Sequence, residues 1–163
     1  MNKKILFLRI LFTALLLGTF WIIFSFSQQN GEVSTDTSTT FLYKIVDFLN
    51  GSKAVNEEVI NKFDPLFRKI AHFSIYTTVG FWAMGLMCTF FDKMDENKKE
   101  IVRITISTSI GFLYSISDEI HQLYSNGRSG SILDVIIDTL GVANGVLIVL
   151  IIIKVYLINK TDK

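Results

Sequence analysis

The chain has 163 residues, half of them hydrophobic, with 14 Phe, a single Pro and a formal net charge of +1. A mean hydropathy of +0.42, carried by apolar runs close to the length of a membrane span, points away from a soluble domain and toward membrane helices. The balanced charge excludes the basic footprint of a nucleic-acid binder. The lone cysteine, Cys88, excludes an internal disulfide or a cysteine-built metal cluster and reads as packing filler.

The first apolar run is "ILFLRILFTALLLGTFWIIFSF", residues 5 to 26, preceded by Lys3 and Lys4 and interrupted by Arg9. Its apolar part after Arg9 exceeds the ~7–15 residues of a signal-peptide core, which favours a retained membrane helix over a cleaved leader. Residues 27–65 are mostly polar. "SQQNGEVSTDTSTT" reads as a loop by composition, and "FLYKIVDFL" (41–49) spaces Phe41, Ile45, Phe48 and Leu49 on one helical face. Val55, Val59, Ile60 and Phe63 repeat that spacing more weakly, so two short amphipathic helices are expected at the membrane surface or capping the bundle. Asp64-Pro65 then reads as the start of the next helix.

Three further spans are expected at about 66–91, 101–123 and 131–154, and within the last Gly141 and Gly145 form a GxxxG pair suited to close helix approach. With the N-terminus inside, the inner flanks hold Lys3, Lys4, Arg9, Lys93, Lys98, Lys99, Arg103, Lys154, Lys160 and Lys163. The outer side holds Lys44, Lys53, Lys62, Arg68, Lys69 and Arg128. This excess favours both termini on the cytoplasmic side. The expected fold is an all-α membrane protein, a four-transmembrane-helix bundle with short amphipathic helices between helices 1 and 2.

Ionisable residues gather where three of these spans share one membrane face. His72 and Tyr76 open the second span, Asp118, Glu119, His121 and Gln122 close the third, and Asp134 and Asp138 open the fourth. Arg68, His72 and Tyr76 recur at four-residue spacing, as do Asp134 with Asp138 and Asp118 with Gln122, so each set stacks on one helical face. Glu119 points about 100° away from Asp118 around the helix. "SNGRSG" is a tight turn that presents Arg128 at the rim. Near the interface such groups can be solvated individually. At the bilayer centre each charge would cost ~2.5–3.5 kcal/mol, so a mutually paired cluster is the expected arrangement, as a structural clamp or as a site.

The segments "FRKIAHFSIYTTVGF" (67–81) and "SDEIHQLYSNGRSGSILDVIIDTLGVANG" (117–145), with "WIIFSFSQQNGEVS" (21–34), resemble the VanZ-like family. The motif positions are Arg68, Lys69, His72, Phe73, Tyr76, Asp118, Glu119, His121, Gln122, Gly127, Arg128, Asp134 and Asp138, and the resemblance reaches all four expected spans. It implies a single membrane domain over 1–163 in a bacterial plasma membrane. It also implies an association with resistance to teicoplanin, a glycopeptide carrying a fatty acyl chain, and it carries no settled reaction.

Three functions follow as expectations. In the first, Arg68, Lys69, His72, Tyr76, Asp118, Glu119, His121, Gln122, Arg128, Asp134 and Asp138 bind a ligand at the outer leaflet. That ligand is a membrane lipid, a lipid-linked envelope precursor or a lipoglycopeptide antibiotic, with the Arg residues suited to phosphate. In the second, a hydrolase or transferase uses His72, Glu119, His121, Asp134 and Asp138 for acid–base work. A divalent metal is within the chemistry of those residue types, although no metal-spacing motif is present and no cofactor is expected outright. In the third, a transporter uses the acidic pair as a proton relay and needs an oligomer to do so. Ser25, Ser27 and Gln28 are candidates to complete the site from the first helix.

Overall fold

The computed structural model describes residues 2–28, 31–50, 57–91, 94–124 and 130–161. These form five helices and, among the described residues, no strand: α1 (Lys3–Ser27), α2 (Gly31–Asn50), α3 (Glu57–Met87), α4 (Glu96–Gln122) and α5 (Ile132–Thr161). Three of them, α1, α3 and α5, are long and apolar enough to cross a membrane. The fourth expected span, α4, has comparable length. Arg103 and a run of Ser and Thr dilute its apolar character, and charged residues occupy both of its ends.

The surface fits a lipid solvent. Leu17, Trp21, Leu113, Leu140, Leu147, Ile151 and Ile152 all face outward and are exposed. An apolar belt of this extent is foreign to soluble monomers, whose largest patches cover only a few hundred Å². Inside, Leu16, Ile23, Tyr76, Val79, Ala83 and Val142 form one core cluster. Met84, Val146 and Val149 form a second, against which Cys88 packs as filler.

Two boundaries differ from the expectation. The serine- and threonine-rich stretch before Phe41 is helix, so α2 is one helix where a loop and a short helix were expected. Its hydroxyls are absorbed locally: Thr37 donates to the Val33 carbonyl at 2.7 Å and Thr39 to the Thr35 carbonyl at 2.9 Å. Such bonds leave the helical ladder intact while satisfying groups that otherwise favour turns. Pro65 does not open α3 but lies inside it. The carbonyl one turn earlier, on Asn61, loses its helical partner, and Asn61 is exposed. Ile60 and Asp64, on the same turns, are buried. At ~1.5 Å per residue α3 exceeds the ~30 Å apolar core of a bilayer, and its first turns, around Ile60 and Asn61, lie against Thr40, Tyr43 and Lys44 of α2.

α3 and α5 run parallel and very close. A Cβ on Gly141 would stand 2.5 Å from the Phe73 carbonyl oxygen, and one on Gly145 would stand 2.6 Å from the Phe81 nitrogen. The expected GxxxG pair is therefore the seam between these two helices. α1 and α4 run in the opposite sense. At one end of the assembly, Arg103 of α4 donates to the carbonyls of Met87 and Cys88, each at 3.0 Å, and to that of Phe90. Arg9 of α1 reaches the Thr89 carbonyl at 2.6 Å and lies over the Phe90 ring. These two arginines satisfy carbonyls left over where α3 stops. Phe91 in the following turn takes φ 67°.

Candidate functional site

The opposite end of the assembly gathers the polar groups. It is built from the end of α1, the early-middle of α3, the end of α4 and the second turn of α5. Asp64, Arg68, His72 and Tyr76 recur every four residues along one face of α3. Tyr76 is fully buried, with its hydroxyl beside Ser115 of α4.

Asp138 is the centre. Its side chain is 0% exposed, its Oδ2 accepts a hydrogen bond from Ser115 Oγ at 3.1 Å, and its Oδ1 lies 3.4 Å from His72 Nδ1. Asp118 approaches from α4. One carboxylate oxygen of Asp118, one of Asp138 and a ring nitrogen of His72 all lie within 4.8 Å of one another. Gln122 donates to Asp118 Oδ2 at 3.1 Å and to Glu119 Oε1 at 3.3 Å, and Ser27 of α1 stands against Asp118.

One helical turn out from His72, a second rung joins α3 to α5: Lys69 Nζ lies 3.4 Å from Asp134 Oδ1. The i,i+3 pair on α3 thus meets the i,i+4 pair on α5, in the register that the glycine seam sets. Lys69 and Asp134 are both substantially exposed, so that rung contributes little, ~0–1 kcal/mol.

A cavity of about 290 Å³ opens beside this cluster, near the lower end of the ~300–1,000 Å³ common for small-molecule sites. Its walls are apolar: Ile23 and Phe26 of α1, Phe41 of α2, and Phe67, Ala71 and Ile75 of α3. Its polar lining is Ser27, Arg68, His72, Asp118 and Gln122, with Thr37 and Ser38 from α2.

The expected site residues divide into two groups. Arg68, His72, Tyr76, Asp118, Gln122 and Asp138 converge on the cavity or directly behind it. Glu119 turns away and accepts from the Ser131 backbone N–H at 2.7 Å, stapling the end of α4 to the start of α5. His121 stacks on Phe24 of α1 with ring centroids 5.0 Å apart, outside the cluster. Lys69 and Asp134 pair with each other. Arg128 and Gly127 lie outside the described residues. From α1, Ser27 reaches the cavity; Ser25 donates to its own helix at the Trp21 carbonyl, 2.8 Å away, and Gln28 is exposed.

Two buried polar groups went unread in the sequence, of which Ser115 belongs to the cluster. Ser115 is fully buried and holds Asp138; its only signal is i,i+3 spacing from Asp118. Asp64 is buried with Oδ1 making no hydrogen bond among the described residues, and the four-residue step back from Arg68 marks it.

Comparison with known families closes the question of lineage. The model of the VanZ/LLP1 family matches residues 12–154. The chain belongs to the VanZ/LLP1 family. That span runs from α1 to α5 and takes in every residue of the cavity. Neither the curated proteins nor the solved structures contain a match. Three apolar helices and VanZ/LLP1 membership together make this a VanZ-like membrane protein.

Proposed function

We propose that this VanZ-like protein binds the lipid portion of an envelope amphiphile at the outer leaflet of a bacterial plasma membrane and thereby protects against teicoplanin. The observation that carries the reading is the composition of the cavity: apolar walls from four aromatic or branched side chains, Phe26, Phe41, Phe67 and Ile75, around a polar floor of His72, Asp118 and Gln122. An acyl or polyprenyl chain suits the walls. A phosphate or carboxylate suits Arg68, whose planar fork binds such groups bidentately. In this reading α4 is the fourth span, sheltered by α3 and α5, and both termini are cytoplasmic, in line with the excess of Lys and Arg on that side. One domain over 1–163 carries the whole site.

In this reading the ligand is the lipoglycopeptide itself, and a lipid-linked envelope precursor would occupy the same apolar walls. A second reading, a hydrolase or transferase acting on a lipid-linked substrate, is favoured by one observation: His72, Asp118 and Asp138 converge, which supplies acid–base groups at the cavity floor.

The test is teicoplanin susceptibility in a sensitive Gram-positive host expressing wild type, His72→Ala, Asp138→Asn or empty vector. Vancomycin, without the acyl chain, is the control. Wild type is expected to protect against teicoplanin selectively, and both variants to lose protection at equal membrane levels. Equal protection by wild type and both variants would refute the assignment of the site.

A further inference from the structure

The cluster behind the cavity has a charge problem. Asp138 is fully buried, yet its Oδ1 makes no hydrogen bond among the described residues, and neither does the buried Nδ1 of His72 that faces it at 3.4 Å. The second carboxylate, Asp118, is 5% exposed and shares the same space. One imidazolium can balance one carboxylate. The other would then sit uncompensated among apolar helices, which is costly. The remaining hydrogen bonds to the pair come from neutral groups, Ser115, Gln122 and Ser27.

A divalent cation resolves this. It balances two carboxylates and takes the lone pair of a neutral imidazole. Metal–ligand bonds of about 2.0–2.2 Å in tetrahedral geometry place ligand atoms roughly 3.3–3.6 Å apart; the His72–Asp138 separation of 3.4 Å lies in that interval, and Asp118, within 4.8 Å of both, completes the set by closing in on the ion. Ser115 already holds Asp138 Oδ2, and Gln122 and Ser27 hold Asp118. Such outer contacts orient ligating groups. A mixed nitrogen and oxygen donor set selects transition ions over calcium or magnesium.

We propose that His72, Asp118 and Asp138 form a binding site for a divalent transition ion, with its open coordination positions facing the cavity. His72 and Asp118 line that cavity, so an anionic group entering it would meet the ion directly. The ion site stands on the geometry of three side chains and not on the teicoplanin reading; either can fail alone.

The test uses the full chain purified in a neutral detergent, stripped with chelator and titrated with manganese chloride, free Mn²⁺ being followed by electron paramagnetic resonance. The expected result is saturable binding of about one ion per chain, displaced by zinc and lost in Asp138→Asn, Asp118→Asn and His72→Ala. Asp134→Asn, which weakens the exposed Lys69 pairing and removes none of the three donors, should bind as wild type does. Cobalt titration of wild type adds a readout independent of any variant's folding: its visible absorption should show a nitrogen- and oxygen-ligated ion. Absence of saturable manganese binding and of a cobalt spectrum in wild type would overturn the proposal. So would binding that survives in a well-folded Asp138→Asn variant or is lost equally in Asp134→Asn.

Discussion

Substituting Gly141 with alanine tests how tightly the α3–α5 seam holds the polar cluster. Gly141 lies one turn beyond Asp138. The new Cβ would stand 2.5 Å from the Phe73 carbonyl oxygen and 3.2 Å from the Tyr76 Cβ. Ordinary contact begins at 3.4 Å, so the helices must part by about 0.9 Å, the difference between 3.4 Å and 2.5 Å. The carbonyl belongs to a helix and cannot swing aside. Overpacking of this kind costs ~1–3 kcal/mol, and close backbone approach is a main source of attraction between membrane helices. Gly18→Ala is the control, since nothing lies within 4 Å of a Cβ there and alanine favours helix by ~0.8–1.0 kcal/mol. Unfolding in mixed micelles with increasing dodecyl sulfate, read in a Trp21→Phe background by the fluorescence of Trp82 packed against Phe81, should shift to lower denaturant for Gly141→Ala and not for Gly18→Ala. If Gly141→Ala is as stable as Gly18→Ala, the seam is looser than argued, and the His72–Asp138 contact does not depend on it.

Arg103→Ala should destabilise by ~1–3 kcal/mol in the same assay, because it strips donors from the Met87, Cys88 and Phe90 carbonyls. Arg103→Lys should recover only part of that loss, since an ammonium does not reproduce the guanidinium fork. Tyr114→Phe removes the hydroxyl that donates to the Phe20 carbonyl at 2.7 Å but keeps the ring stacked on Phe20 at 3.8 Å. A loss of only ~0.5–1.5 kcal/mol is expected, with the cavity's ligand binding unchanged.

Much of this organisation is legible in the sequence, for identifiable reasons. α1 and α5 announce themselves because apolar length is a strong signal even with Arg9 in the one and Asp134 and Asp138 at the start of the other. The four-residue stripe Arg68–His72–Tyr76 survives into the structure because helical periodicity is rigid. α2 was obscured because Ser and Thr read as loop unless their hydroxyls have helical carbonyls to bond, and the register of those bonds appears only in three dimensions. Pro65 misled in the same way: its effect depends on whether the freed carbonyl faces solvent. The fate of each carboxylate was hidden for another reason. Spacing places Asp134 with Asp138, but helix crossing decides that one meets Lys69 near the rim and the other meets His72 inside. Glu119 and His121 carry the residue types of a site, yet the α4–α5 connection claims the first and Phe24 the second. Ser115 lies in a span already rich in Ser, with nothing in composition to distinguish it.

The most direct test of the account is binding of teicoplanin to the purified protein in lipid nanodiscs, with vancomycin alongside, for wild type and Ala71→Trp. Ala71 is exposed on the cavity wall, so an indole there should fill the space without disturbing the core. The account predicts saturable binding of teicoplanin alone, weakened by Ala71→Trp. Equal binding of both antibiotics, or teicoplanin binding untouched by Ala71→Trp, would contradict it.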